Sequence, residues 1–108
     1  MRRYLRRAPV HRDANHGDIV RALEAAGRSV LDLSAVGKGA PDLLVGWSGH
    51  MVLMEVKNPE GRDHGSCALL PDQERWHATW KGTRVVVVRN VEEALEATGV
   101  RVRLRGAA

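Results

Sequence analysis

The stretch APDLLVGWSGHMVLMEVK, residues 40–57, decides the fold. It contains two apolar runs, Asp42–Trp47 and His50–Lys57, separated only by Ser48 and Gly49. Two strand-forming runs joined by a two-residue turn containing glycine make a β-hairpin. If Trp47 pairs with His50, then Leu43 faces Met54, Val45 faces Val52, and Asp42 faces Glu55. Both faces of the runs are apolar, which predicts central strands covered on both sides.

That register brings two carboxylates to one strand end. Directly opposed side chains have Cβ atoms about 4.5–5.5 Å apart, and like charges so placed repel. A positive group is expected between them. Lys57 lies two residues beyond Glu55 and projects from the same face. Two oxygen-donor carboxylates without a His or Cys cluster suit a hard cation, Mg²⁺ or Mn²⁺. Such a cation with a lysine beside it is suited to hydrolysing a phosphodiester: the metal polarises the phosphate and acidifies water, and Lys57 orients that water or stabilises developing charge. The plainer alternative makes Glu55 and Lys57 an exposed strand pair and Asp42 a turn residue after Pro41. The meeting of all three at one end of apolar strands favours a site.

Working outward, the pattern before the hairpin is helical from Asn15, with Ile19, Val20, Leu23 and Ala26 on one stripe and Gly27 as the stop. Ser29 to Leu33 reads as a short strand, and VGKGAP as a turn-rich link. After the hairpin, residues 58–70 read as a loop. Pro71 opens a helix to about Trp80, with Gly82 beyond it. Arg84 to Val88 is a strand whose continuous valines predict burial on both faces. Asn90 caps a short helix to Thr98, with Gly99 as the stop. Arg101, Arg103 and Arg105 alternate with Val102 and Leu104, a strand with a basic face. The expected order is α-β-β-β-α-β-α-β. There is no internal repeat and no second domain, so the division is a basic arm over residues 1–12 and one domain over residues 13–108.

The 108 residues suffice for one core, and 44% hydrophobic and 28% charged residues are globular composition. No apolar run approaches a bilayer span, and no secretory leader is evident, so an intracellular, cytoplasmic setting and no membrane partner are expected. The single cysteine, Cys67, excludes an intramolecular disulfide framework and a Cys-rich zinc cluster. The net charge is +4, and 14 of the 17 basic residues are arginine. Arginine's planar fork matches phosphate oxygens, which favours a polyanionic partner. Arg2, Arg3, Arg6 and Arg7 form a candidate arm contacting a nucleic-acid backbone, and Lys38 is a further candidate phosphate contact. Gly37-Lys38-Gly39 lacks the spacing of a P-loop.

Pro41-Asp42, twelve intervening residues, and Glu55-Val56-Lys57 resemble the PD-(D/E)XK nuclease motif. The order of elements resembles that superfamily's restriction-endonuclease-like αβββαβ core, an α/β (α+β) fold with a mixed central sheet flanked by helices. GAPDLLVG, the EVK strand, and Gln73 followed by Trp76 are similar to the compact VRR-NUC and Holliday-junction-resolvase branch, often phage-encoded. The resemblance covers roughly residues 13–98. It implies that Val56 offers a backbone carbonyl as a metal ligand beside Asp42 and Glu55, and that Gln73 belongs with the catalytic residues. It also implies an acidic metal ligand on the first helix, for which Asp18 is the match. Asn15 and Asp18 are equally well spaced for a capping box. On the second helix, Gln73, Trp76, His77 and Trp80 fall on one face, where the tryptophans are expected to be core.

These readings converge on a Mg²⁺-dependent endodeoxyribonuclease. The leading form is a Holliday junction resolvase that acts as a homodimer on branched DNA and uses no small-molecule cofactor. The alternatives are a nickase, flap or restriction-type enzyme on the same core, or a non-catalytic basic DNA-binding module.

Overall fold

The computed structural model describes residues 15–59 and 68–102. Among them the order is α1 (His16–Ala25), β1 (Ser29–Asp32), β2 (Leu43–Trp47), β3 (His50–Val56), α2 (Pro71–Thr79), β4 (Val85–Val88) and α3 (Val91–Ala97). The fold is α+β: one four-stranded mixed sheet in the order β1-β2-β3-β4, flanked by three helices. Strands β1, β2 and β3 run antiparallel, and β4 is parallel to β3. A parallel neighbour requires a crossover, and α2 lies within it.

The hairpin register is the expected one, with Leu43 opposite Met54, Val45 opposite Val52 and Trp47 opposite His50. Ser48 and Gly49 have φ of 45° and 81°. Positive φ at both central residues is the requirement of a type I′ turn, whose twist matches that of the strands it joins. Helix α1 stops as its sequence predicts: Gly27 adopts φ of 85°, and Arg28 N–H returns to Leu23 O at 2.9 Å. In α3, the Asn90 side chain accepts from Glu93 N–H at 2.8 Å, so the expected cap is formed.

Alternation along the strands sends Leu43, Val45, Val52, Met54 and Val56 to one face of the sheet. There they pack with Ile19 and Leu23 of α1 and Ala94 of α3 in the hydrophobic core. The opposite parity, which includes Glu55 and Lys57, faces α2, whose Gln73 reaches both. No residue of α2 is buried. The sheet therefore has one face closed over the core and a second face, which also carries Leu44 and the buried Leu53, where Glu55 and Lys57 meet Gln73.

The structure corrects several expectations. Strand β4 is not buried on both faces: Val88 is buried, but Val87 is 38% exposed. The strand lies at the sheet edge, and edge position is a tertiary property that a run of valines does not encode. Val100 to Val102 lie in no strand, and Arg103 and Arg105 lie outside the described residues. Trp76 and Trp80 are not core: they stack on one another at 4.7 Å, with Trp80 exposed. The basic arm with Arg2, Arg3, Arg6 and Arg7 lies outside the described residues, as do residues 60–67 of the long loop. Among the described residues, no helix is long and apolar enough to cross a membrane.

Candidate active site

Four chain ends meet at one end of the sheet: β2 begins there, and β1, β3 and β4 finish there. The carboxyl ends of parallel strands are the usual place for a site in α/β sheets. Asp42 stands one residue before β2. Its backbone N–H donates to Met54 O at 2.9 Å, and its Oδ2 accepts the Val56 N–H at 2.8 Å. Asp42 is thus tied to β3 through both main chain and side chain, on the edge of the ladder rather than as one of its paired residues. The N–H and C=O of one extended residue point the same way, so the Val56 carbonyl opens toward β2 as well.

Glu55 is 3% exposed. A buried carboxylate costs several kcal/mol unless it is compensated, and Gln73 and Lys57 both help to compensate this one. Gln73 Nε2 donates to Glu55 Oε2 at 3.0 Å, and Lys57 Nζ lies 3.9 Å from the same oxygen. Lys57 Nζ also donates to Gln73 Oε1 at 3.0 Å, and that oxygen accepts the Leu70 N–H at 2.8 Å. Gln73 satisfies the first turn of its own helix in place of a Ser or Thr cap, and in doing so fixes its amide between Glu55 and Lys57. The positive group expected beside the carboxylates is Lys57, bridged to Glu55 by Gln73.

His77 follows Gln73 by one helical turn, and its Nε2 is buried with no hydrogen-bond partner among the described residues. Burial first, and then the Lys57 charge, hold its imidazole below the usual value, so it is neutral at neutral pH. From the other side of the sheet, Asn15 Nδ2 donates to Lys57 O at 3.3 Å and to Arg89 O at 2.8 Å. It pins the ends of β3 and β4 together. Sequence reasoning placed Asn15 only as a possible cap, and it makes no side-chain cap bond. A polar residue at a helix start carries both signals alike.

Asp18 is not gathered with the other carboxylates. Its side chain is 67% exposed and pairs with Arg21 at 2.6 Å. Nor does it close a capping box, since α1 has no side-chain cap. Among the described residues, no three His, Cys, Asp or Glu side chains are grouped to hold a metal. The donors present are Asp42, Glu55 and the Val56 carbonyl, all hard oxygens. Mg²⁺ commonly binds through one or two carboxylates and completes its shell with water and substrate phosphate. The donor set fits such an ion and does not fit a closed zinc site.

Lys38 sits apart from this cluster, at the tip of the loop between β1 and β2, and is exposed. Comparison of the chain with protein-family models, with curated proteins and with solved structures returned no match.

Proposed function

We propose that the protein is a metal-dependent endonuclease that hydrolyses DNA phosphodiester bonds. The observation that carries this reading is the Glu55–Gln73–Lys57 chain, anchored on the buried Glu55, beside Asp42 at the ends of the paired strands β2 and β3. A structural salt bridge has no need of a third residue holding both partners at hydrogen-bond distance, nor of a second carboxylate beside it.

Asp42, Glu55 and the Val56 carbonyl would hold Mg²⁺, with Mn²⁺ as a substitute. The ion supplies charge neutralisation at the phosphate and acidifies water. The chain's own residues do the rest. Asp42 is held by the Val56 N–H, so its carboxylate is oriented before substrate arrives. Lys57 Nζ carries a positive charge to the rim of the carboxylate pair, where it stabilises the phosphorane-like charge that develops on attack. Gln73 keeps that ammonium from collapsing onto Glu55 and holds Glu55 still.

The finer reading is a structure-selective enzyme acting as a symmetric homodimer on four-way junctions. One chain carries one such site, and resolving a junction takes two cuts at related positions. Purified protein with Mg²⁺ is to be given four-way junction, flap, nicked and linear duplex DNA. Cleavage that stops when Glu55 is replaced by Gln supports the nuclease, and intact DNA of every form overturns it. Light scattering near twice the chain mass, with junction cut in preference to duplex, supports the resolvase. A monomer that cuts all forms equally removes the resolvase and leaves the nuclease.

A further inference from the structure

Two adjoining clefts run outward from the site between the 33–41 loop and α2. The inner one is walled by Ser34, Ala40, Asp42, Pro71 and Gln73. The outer one is walled by Lys38, Asp72, Arg75, Trp76 and Thr79, and both share Asp72. Their volumes are ≈ 440 and ≈ 430 Å³, within the range of ligand sites. None of the walls of the outer cleft takes part in the carboxylate cluster.

The outer cleft has the equipment of a strand-binding groove. Lys38 is exposed and makes no hydrogen bond or ion pair with the described residues. Arg75 is paired to Asp72, but both partners are more than 60% exposed, and such pairs open at little cost. Trp76 stacks on Trp80 with ring planes 16° apart, which fixes its orientation. Cations beside a fixed aromatic ring are the combination by which proteins hold a nucleic-acid strand.

The backbone shows that the position of Lys38 is imposed. Gly37, Lys38 and Gly39 have φ of 75°, 58° and 86°, three consecutive residues in the left-handed region. A lysine there is less favourable than glycine by about 1 kcal/mol. No described contact of Lys38 offsets that cost. Gly39 fixes where the tip lies: a Cβ on it would stand 2.3 Å from the Asp72 carbonyl oxygen, so only glycine permits the loop to rest on the first turn of α2. Lys38 is thereby held alongside Arg75 and Thr79.

We propose that the outer cleft is a subsite for a DNA strand, in which Lys38 and Arg75 hold the phosphate next to the one at Asp42 and Glu55, and Trp76 packs against the adjoining nucleotide. The inference rests on the nuclease reading for its account of the inner phosphate. The binding it requires needs no metal and no cleavage.

The test is fluorescence anisotropy with a labelled four-way junction and a labelled single strand in EDTA. Lys38→Gly and Arg75→Gln are compared with wild type and with Lys81→Gln, which removes the same charge outside the cleft. Lys38→Gly and Arg75→Gln are each expected to weaken binding about 5- to 10-fold near 0.1 M salt and to lower the slope of log K against log salt by about 1. Lys81→Gln should stay within about twofold. Lys38→Gly relieves the left-handed lysine, so it should melt at or above the wild-type temperature, and its lost affinity cannot be lost fold. Wild-type affinity in both cleft variants, an equal loss in Lys81→Gln, or a wild type that binds no DNA each overturn the subsite. Parallel incubation with Mg²⁺ separates the two ideas. DNA cut by a protein whose cleft variants bind normally sinks the subsite alone. DNA bound through Lys38 and Arg75 but never cut sinks the nuclease alone.

Discussion

Gln73 meets Glu55 with its amide nitrogen and Lys57 with its amide oxygen, and no other orientation of that amide serves both. Reversed, it would set oxygen against a buried carboxylate and nitrogen against an ammonium. Gln73→Leu keeps the approximate volume and loses every one of these bonds. Cleavage is expected to fall 10- to 100-fold, as when groups supporting a metal ligand are removed. Thermal unfolding should show a loss of about 1–3 kcal/mol from the hydrogen bond that buried Glu55 loses. Steady-state kinetics that match wild type would leave Gln73 a helix cap and nothing more.

Asp42→Asn and Glu55→Gln keep the shape of each side chain and remove the charge a cation needs. Both should be inactive with Mg²⁺ while binding DNA nearly as well as wild type, because affinity resides in the basic residues. Mn²⁺ should raise the melting temperature of wild type and not of either variant, since only a ligand that binds the folded state stabilises it. Cleavage at the wild-type rate by either variant would show that the chemistry lies elsewhere.

Lys57→Ala should still bind Mn²⁺ by calorimetry but lose cleavage, because the lysine acts on the reacting phosphate rather than on the ion. His77 reports the same substitution. Burial and the Lys57 charge both depress its titration below 6.5 in the folded protein. A depressed value means that neutral His77 contributes stability above its unfolded value, and that this contribution is lost as pH falls through the folded one. In Lys57→Ala the charge is gone and the burial remains. The His77 ring-proton shift followed by NMR should therefore titrate at higher pH than in wild type, yet still below 6.5. An unmoved titration would mean that Lys57 does not reach His77.

Gly37 and Gly39 both lie in the left-handed region, but only Gly39 is crowded. Gly37→Ala should cost about 1 kcal/mol, the conformational penalty alone. Gly39→Ala drives a methyl into the Asp72 carbonyl as well, and should cost about 2–4 kcal/mol or lift the loop off α2. Denaturant midpoints of the two variants measure the difference. Equal losses would show that the loop rests on α2 without close packing.

The hairpin and its register were legible because a period of two and a two-residue turn leave one solution that buries Leu43, Val45, Val52 and Met54 together. The convergence of Asp42, Glu55 and Lys57 followed from that register, whereas Gln73 was expected beside them from the family resemblance. The bond from Val56 N–H to Asp42 was not legible, since it depends on how the chain turns into β2. The outward aim of Asp18 depends on how α1 is rotated when Ile19 and Leu23 seek the core, and its partner Arg21 is a surface accident of i, i+3 spacing. Val87 reads like its neighbours in sequence, and its exposure comes from what lies beside β4 in space. Asn15, reaching across to the ends of two strands, is a contact 42 and 74 residues away in sequence, and no local pattern announces it.

Helix α2 buries none of its residues, and its grip on the sheet near the site is the polar one made by Gln73. Such an element can detach at a free energy well below that of global unfolding, while α1, with Ile19 and Leu23 at zero exposure, can open only with the whole domain. Amide protons of α2 should accordingly exchange with solvent far sooner than those of α1. Each excursion of α2 carries Gln73 away and lets Lys57 close onto Glu55, so the same motion that admits a bulky polyanion disarms the site until the strand is seated.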